Sequence, residues 1–245
     1  MVINVHGGHN RIVPGASGYL DEVTEDRAVT AQVIAKLRAL GHTVYDCTDD
    51  SGRTQGQNLA NIVHACNAHA ADLDVSIHLN SGGGTGTEVL VYSDTGEAAG
   101  YAVKICAAIS GLGYRNRGVK ERKNLYVLRR TTAPALLVEC CFVDSAADAQ
   151  RFDADKMAAA IVRGITGQTA AQTGAAPAQQ TGYHVRITAS VLNVRRDHSA
   201  SSAVATQVRR GEVYTIVAEY NNGGTMWGKL KSGAGWIALN YTQSV

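Results

Sequence analysis

The chain has 245 residues, 45% of them hydrophobic, and a formal net charge of +2. That length suffices for one sizeable domain or for a large and a small one. No run of Lys or Arg is long enough for a nucleic-acid footprint, and no stretch approaches the roughly 20 apolar residues that span a bilayer.

The start, "MVINVHGGHN", lacks the charged n-region and apolar h-region of an export signal, so synthesis in the cytoplasm without self-export is expected. "VINV" is a short apolar run. From Thr24, read as an N-cap, Val29, Val33, Ile34, Leu37 and Leu40 recur at helical spacing until Gly41 supplies a stop. "HTVYDC" resumes as a strand, Leu59, Ile62, Val63 and Cys66 mark a second amphipathic helix, and "LDVSIHL" alternates with period two. There follow a strand "TEVLVY", a helix around Ala98 to Ile109, strands "LYVLR" and "ALLVECCFV", and a closing helix through Met157 and Ile161. The alternation predicts an α/β domain over residues 1–166, a mixed sheet covered by helices on both faces. Arg115, Arg117, Lys120, Arg122 and Lys123 read as a solvated loop, the alternative being a basic face towards anionic polymers, and "SGGGTGTE" as a turn without the helix that a phosphate cradle needs.

Residues 167–182, "GQTAAQTGAAPAQQTG", are small or polar and uncharged, the composition of a flexible linker. Residues 183–245 carry short alternating segments separated by Gly, Asn and Ser turns, which predicts a small all-β barrel. The five cysteines, Cys47, Cys66, Cys106, Cys140 and Cys141, form no CxxC pair and mostly sit among apolar neighbours, as buried thiols do. Cys66 and His69, three apart on one helix, read as a packing pair rather than a nucleophile and base.

Two segments place a histidine where a strand gives out: "GHNRIVPGA" carries His9 and "DVSIHLN" carries His78, with Glu22 between them. Two histidines and a carboxylate brought from separate strand ends are a ligand set for catalytic zinc, which keeps a fourth position for water. A single histidine of this kind is more often a hydrogen-bonded structural residue. The combination counts because open α/β sheets gather their sites at the carboxyl ends of strands. Asp21 and Glu25 compete with Glu22 for the carboxylate position. Glu139, within "PALLVECCFVD", is a carboxylate in an apolar strand; burial raises its pKa and suits it to general acid/base work, whereas on an edge strand it would simply face solvent.

"GHNRIVPGA", Glu22, "CNAHAADLDVSIHLN" and "RNRGVKERKNLYVLRRTTAPALLVECCFVD" resemble, in order, the motifs of the zinc-dependent N-acetylmuramoyl-L-alanine amidases of the Amidase_3 type, over roughly residues 1–166. The resemblance implies His9, Glu22 and His78 as zinc ligands and Glu139 as the catalytic carboxylate. His6 stands where the family often has an acidic residue, and Asn10 and Arg11 replace its usual glycines, which makes His6 the rival first ligand; "PGA" at the family's distance favours His9. "ASVLNVRRDHSASSAVATQVRRGEVYTIVAEY" and "MWGKLKSGAGWIALNYT" are similar to bacterial SH3-like (SH3b) domains, in which Trp227, Trp236, Tyr214, Tyr220 and Tyr241 would offer either a stacking surface or barrel core.

The two resemblances imply a peptidoglycan hydrolase of Gram-positive walls that cleaves the amide between N-acetylmuramic acid and L-alanine. Without an export signal it would reach the wall after the membrane is breached, as a phage or prophage endolysin does. Another zinc peptidase acting on wall peptides and a non-catalytic wall-binding protein are the competing readings, and oligomeric state is left open.

Overall fold

In the computed structural model, which describes residues 1–168, 183–196, 198–200, 202–222 and 225–245, strands and helices alternate through the first compact unit, Met1–Thr173. In chain order they are β1 (Val2–Gly7), α1 (Glu22–Ala39), β2 (Thr43–Asp46), α2 (Gln55–Asn67), β3 (Leu73–Asn80) and β4 (Thr87–Val91). There follow α3 (Glu97–Ser110), β5 (Asn116–Glu121), α4 (Tyr126–Arg130), β6 (Ala135–Phe142), α5 (Ala146–Arg151) and α6 (Ala154–Thr166). The strands make one six-stranded sheet in the order β2-β1-β3-β6-β4-β5. Every neighbouring pair is parallel except β4 with β6, so the sheet is mixed.

The inner strands are apolar on both faces because helices cover both. Val5, Val75, Ile77, Val89, Leu136 and Val138 enter one core with Val33 and Leu37 of α1, Ile105 of α3 and Ile161 of α6. Leu90 and Leu137 join a second cluster with Ile62 and Cys66 of α2 and Val127 and Leu128 of α4. All five cysteines are buried and free.

Local details depart from the sequence expectations. Helix α1 begins at Glu22 and is capped by Asp21, whose side chain accepts the Thr24 N–H at 2.9 Å; Thr24 is therefore inside the first turn and is not the cap. "LYVLR" forms the short helix α4 rather than a strand. Its adjacent Val127 and Leu128 are both buried and pack with Ile62 and Cys66 of α2, while Arg129 and Arg130 stay exposed. The fifth strand lies instead in the basic segment expected to be a loop, where β5 pairs with β4 through Val119 against Val89. As an edge strand with one aliphatic side chain, β5 carries almost no hydrophobic period.

The second unit, Gly174–Val245, contains β7 (Tyr183–Ile187), β8 (Val191–Arg195), β9 (Val204–Arg209), β10 (Val213–Asn222), β11 (Thr225–Leu230), β12 (Trp236–Ala238) and β13 (Thr242–Ser244). They form a seven-stranded antiparallel sheet in the order β13-β7-β10-β11-β12-β8-β9. Val185, Ile187, Val194, Ile216, Leu230 and Ile237 form its core. Trp227 is buried, whereas Tyr220 and Tyr241 are exposed. Gly167, at φ +68°, ends α6, and the rest of the expected linker, 169–182, lies outside the described residues. Among the described residues no helix is long and apolar enough to cross a membrane.

Two positions test this packing. A Cβ on Gly164 of α6 would stand 2.5 Å from Ile105 Cγ1 and 2.6 Å from Ile105 Cα of α3, so Gly164→Ala must push two core helices apart. Denaturant unfolding should show a loss of about 1–3 kcal/mol, the usual cost of overpacking. Asp74 on β3 is buried and accepts Asn4 Nδ2 at 2.7 Å; burial outweighs that bond and lifts its carboxyl to about 6. A raised folded-state pKa means that the favourable contribution is complete below the ordinary carboxyl range and is lost as pH rises through 6, costing up to about 3 kcal/mol at neutral pH. Asp74→Asn should therefore melt above wild type at pH 8, with the gap closing by pH 4; a gap independent of pH would refute the assignment.

Candidate metal centre

The chain leaves β1 through Gly8, whose N–H donates to Ile77 O at 2.9 Å, and then turns sharply at His9, the sole non-glycine residue with positive φ (+50°) among those described. Asn10 shapes the turn. Its Oδ1 accepts the N–H groups of Ile12 and Val13 at 2.9 and 2.7 Å, and its Nδ2 donates to Gly52 O at 2.9 Å. An Asx-type turn thus does locally what glycines do elsewhere.

Glu22 opens α1 with its carboxylate fixed from two sides. Oε2 accepts the Ala16 N–H at 2.7 Å, and Oε1 accepts the Leu79 N–H at 3.2 Å. The same Oε1 lies 3.0 Å from His78 Nδ1 and 3.5 Å from His9 Nε2. The two imidazoles meet edge to face with centroids 5.2 Å apart. One potential ligand atom from each of His9, Glu22 and His78 falls within 4.8 Å of the others.

Two glycines make this approach possible. A Cβ on Gly8 would stand 1.9 Å from His78 Cε1, and one on Gly15 would stand 2.2 Å from Glu22 Oε2. The competing residues are occupied elsewhere or lie outside the cluster. Asp21 caps α1, Glu25 is not in the group, and His6 is buried on β1 with Nδ1 3.5 Å from Ser76 Oγ.

The charges around the cluster are strongly coupled. Burial lowers the His9 imidazole, with the neighbouring His78 adding to the effect and Glu22 opposing it. Burial works to raise the Glu22 carboxyl, but the His78 bond and charge and the Ala16 N–H outweigh it and leave it below its ordinary range. For His78 burial is overcome by Glu22 and Glu139, and the imidazole is raised. His6 falls to about 3, chiefly by burial and then by the charge of His78.

Glu139 lies beside the cluster. It is on β6, an inner strand, in register with His78 of β3 on one side and Glu88 of β4 on the other. Register partners share a sheet face about 5 Å apart. Burial, opposed by His78 and reinforced by Glu22 and Glu88, pushes the Glu139 carboxyl up to about 7. Its Oε2 is buried without a hydrogen-bond partner.

The row continues through residues that sequence reasoning did not single out. Glu88 accepts Asn80 Nδ2 at 3.1 Å and Arg117 Nε at 2.8 Å, and the Arg117 guanidinium lies 4.9 Å over the Phe142 ring. The available signal was a second carboxylate in an apolar strand, "TEVLVY". The Cys66 and His69 pair has no such character. Cys66 is buried against Cys47, its thiol pushed far up by that contact and by burial, and His69 stacks on Tyr45 with centroids 3.6 Å apart.

The donor set fits a divalent transition metal: two imidazoles, of which His9 is held towards its neutral form, and one ionised carboxylate, beside a buried carboxyl oxygen with no partner of its own.

Comparison with known proteins agrees with the geometry of this unit. A protein of Clostridium perfringens with no assigned function is 38% identical over 154 residues, and the chain covers 45% of its length. The sporulation-specific N-acetylmuramoyl-L-alanine amidase of Bacillus subtilis is 31% identical over 209 residues, 83% of this chain and 80% of that protein. Among solved structures, the catalytic domain of the CD27L endolysin, which targets Clostridium difficile, superposes with a TM-score of 0.64 at 27% identity over 69% of this chain and 98% of that domain. The chain thus spans about half the length of the Clostridium relative, but nearly the whole of the endolysin domain. Residues 1–167 match the N-acetylmuramoyl-L-alanine amidase family of the Amidase_3 type, and the chain belongs to that family.

Proposed function

We propose that the chain is a zinc-dependent peptidoglycan hydrolase that cleaves the amide between N-acetylmuramic acid and the L-alanine of the stem peptide. The observation that carries this reading is the meeting of the His9, Glu22 and His78 donors with the buried, partnerless Oε2 of Glu139 on the adjacent strand. His9, Glu22 and His78 would hold the metal. When bound, zinc supplies a Lewis acid for the scissile carbonyl and makes water more acidic, towards a pKa of about 7.

The chain's own residues supply the rest. Glu139, raised to about 7 by burial, takes a proton from the attacking water at its carboxylate and returns it to the leaving nitrogen. Water thus adds across the C–N bond, leaving a lactyl carboxylate on the glycan and an amino group on the peptide. Glu22 keeps its orientation through the Ala16 and Leu79 N–H groups, and Glu88, paired with Arg117, adds negative charge beside Glu139.

On this reading residues 1–166 are the catalytic domain, 167–182 a tether, and 183–245 an SH3b-type domain that holds the enzyme on a Gram-positive wall. Support for the last comes from the seven short antiparallel strands and from the exposed Tyr220 and Tyr241. The name of the structural relative supports the reading of a phage or prophage endolysin, made in the cytoplasm and acting after the membrane is permeabilised.

Incubation with purified Gram-positive walls should expose new N-terminal alanine without new reducing sugars. A chelator should abolish this and added zinc restore it. New amino termini on another stem residue would move the assignment to a peptidase, and no release from any wall would favour a binding protein. Glu139→Gln should lower kcat by about 10²- to 10⁴-fold, the usual worth of a general acid/base, while zinc affinity stays near wild type.

A further inference from the structure

The turn that presents His9 depends on one side chain the proposed chemistry does not use. Arg27 lies on α1 with Glu22, and its guanidinium reaches back to the loop after β1. Nη1 donates to Gly8 O at 2.8 Å and Nη2 to His9 O at 2.8 Å. The remaining donors meet carboxylates: Nη1 to Asp26 Oδ1 at 2.7 Å, Nη2 to Asp50 Oδ1 at 2.7 Å and Nε to the same oxygen at 3.3 Å. All five N–H groups of the fork are thereby used, two of them on consecutive backbone carbonyls.

Those carbonyls belong to the part of the loop least able to hold itself. His9 has φ +50°, a conformation that costs a non-glycine residue about 1–2 kcal/mol and persists only where neighbours fix it. Asn58 Nδ2 adds a longer bond to His9 O at 3.4 Å. Space for the guanidinium is reserved by Gly7, where a Cβ would stand 2.2 Å from Arg27 Nη1. One helix therefore carries both Glu22 and the group that sets the backbone of His9.

We propose that Arg27 is a positioning residue: its guanidinium locks the Gly8 and His9 carbonyls so that the His9 imidazole is held in place to bind metal with Glu22 and His78. This rests on the reading of His9 as a ligand. The fork matters as well as the charge. Lysine has three donors on one atom and cannot span two successive carbonyls and two carboxylates in this geometry, so Arg27→Lys is not a conservative change here. Gly7→Ala should act in the same way from the other side, by displacing the guanidinium.

The test is zinc affinity of the full chain, measured by competition with a chromophoric chelator, alongside the visible spectrum of the cobalt(II)-loaded protein and the melting temperature of the metal-free protein. Arg27→Ala and Gly7→Ala should each weaken zinc binding about 10- to 100-fold, the range typical of lost outer-shell support, and alter the cobalt spectrum. Arg27→Lys should fall between them and wild type, with a metal-free melting temperature within a few degrees of wild type. His9→Ala is the control. If it binds zinc as wild type does, the ligand reading itself fails. If it loses binding while Arg27→Ala keeps wild-type affinity and spectrum, the positioning role is overturned. Should Arg27→Ala not fold, Arg27→Lys decides, and unchanged affinity in that folded variant overturns the proposal.

Discussion

The first unit is organised around one oxygen atom. Glu22 Oε1 accepts the Leu79 N–H, lies 3.0 Å from His78 Nδ1 and 3.5 Å from His9 Nε2, and so ties the start of α1 to the end of β3 and to the loop after β1. A carboxylate this deeply placed is stable only because its charge is answered by N–H donors and imidazoles on several sides. The constraint spreads outward. Gly8 and Gly15 are needed because His78 and Glu22 occupy the volume of a side chain, and Asp21 must cap α1 so that Glu22 can be the first residue of the helix.

Sheet topology determines what lies beside that oxygen. The parallel strands β1, β3 and β6 bring their carboxyl ends to the same edge, where sites in such sheets collect. The one antiparallel pairing, β4 on β6, then brings Glu88 up to Glu139 in register. The row from His78 through Glu139 and Glu88 to Arg117 sets two carboxylates side by side between an imidazole and a guanidinium across β3, β6, β4 and β5, and it leaves Glu139 as the member whose Oε2 has no partner. An unanswered buried carboxyl is costly in a structural ion-pair network and useful in a proton-transfer site.

Much of this was legible in the chain. The strand-helix alternation, the Gly41 stop and the apolar runs predicted a mixed sheet with helices on both faces, because helical and strand periods are local consequences of burial. Glu139 stood out because a carboxylate in an apolar strand is conspicuous wherever that strand goes. Less legible were β5 and α4: the edge strand β5 has one aliphatic residue, and α4 is a single turn defined by what it packs against.

The sequence by itself determined which residue types were on offer, histidines at His9 and His78, carboxylates at Asp21, Glu22 and Glu25 and one in an apolar strand at Glu139, together with the α/β class of the sheet, since residue type and hydrophobic period need no knowledge of distant neighbours. Only the tertiary structure decided that Glu22 rather than Asp21 or Glu25 joins the histidines, that β6 is an inner strand, and that Arg27 and Glu88 stand beside the site. Each of these depends on contacts between segments far apart in the chain, set by sheet order and register, and no local periodicity encodes them.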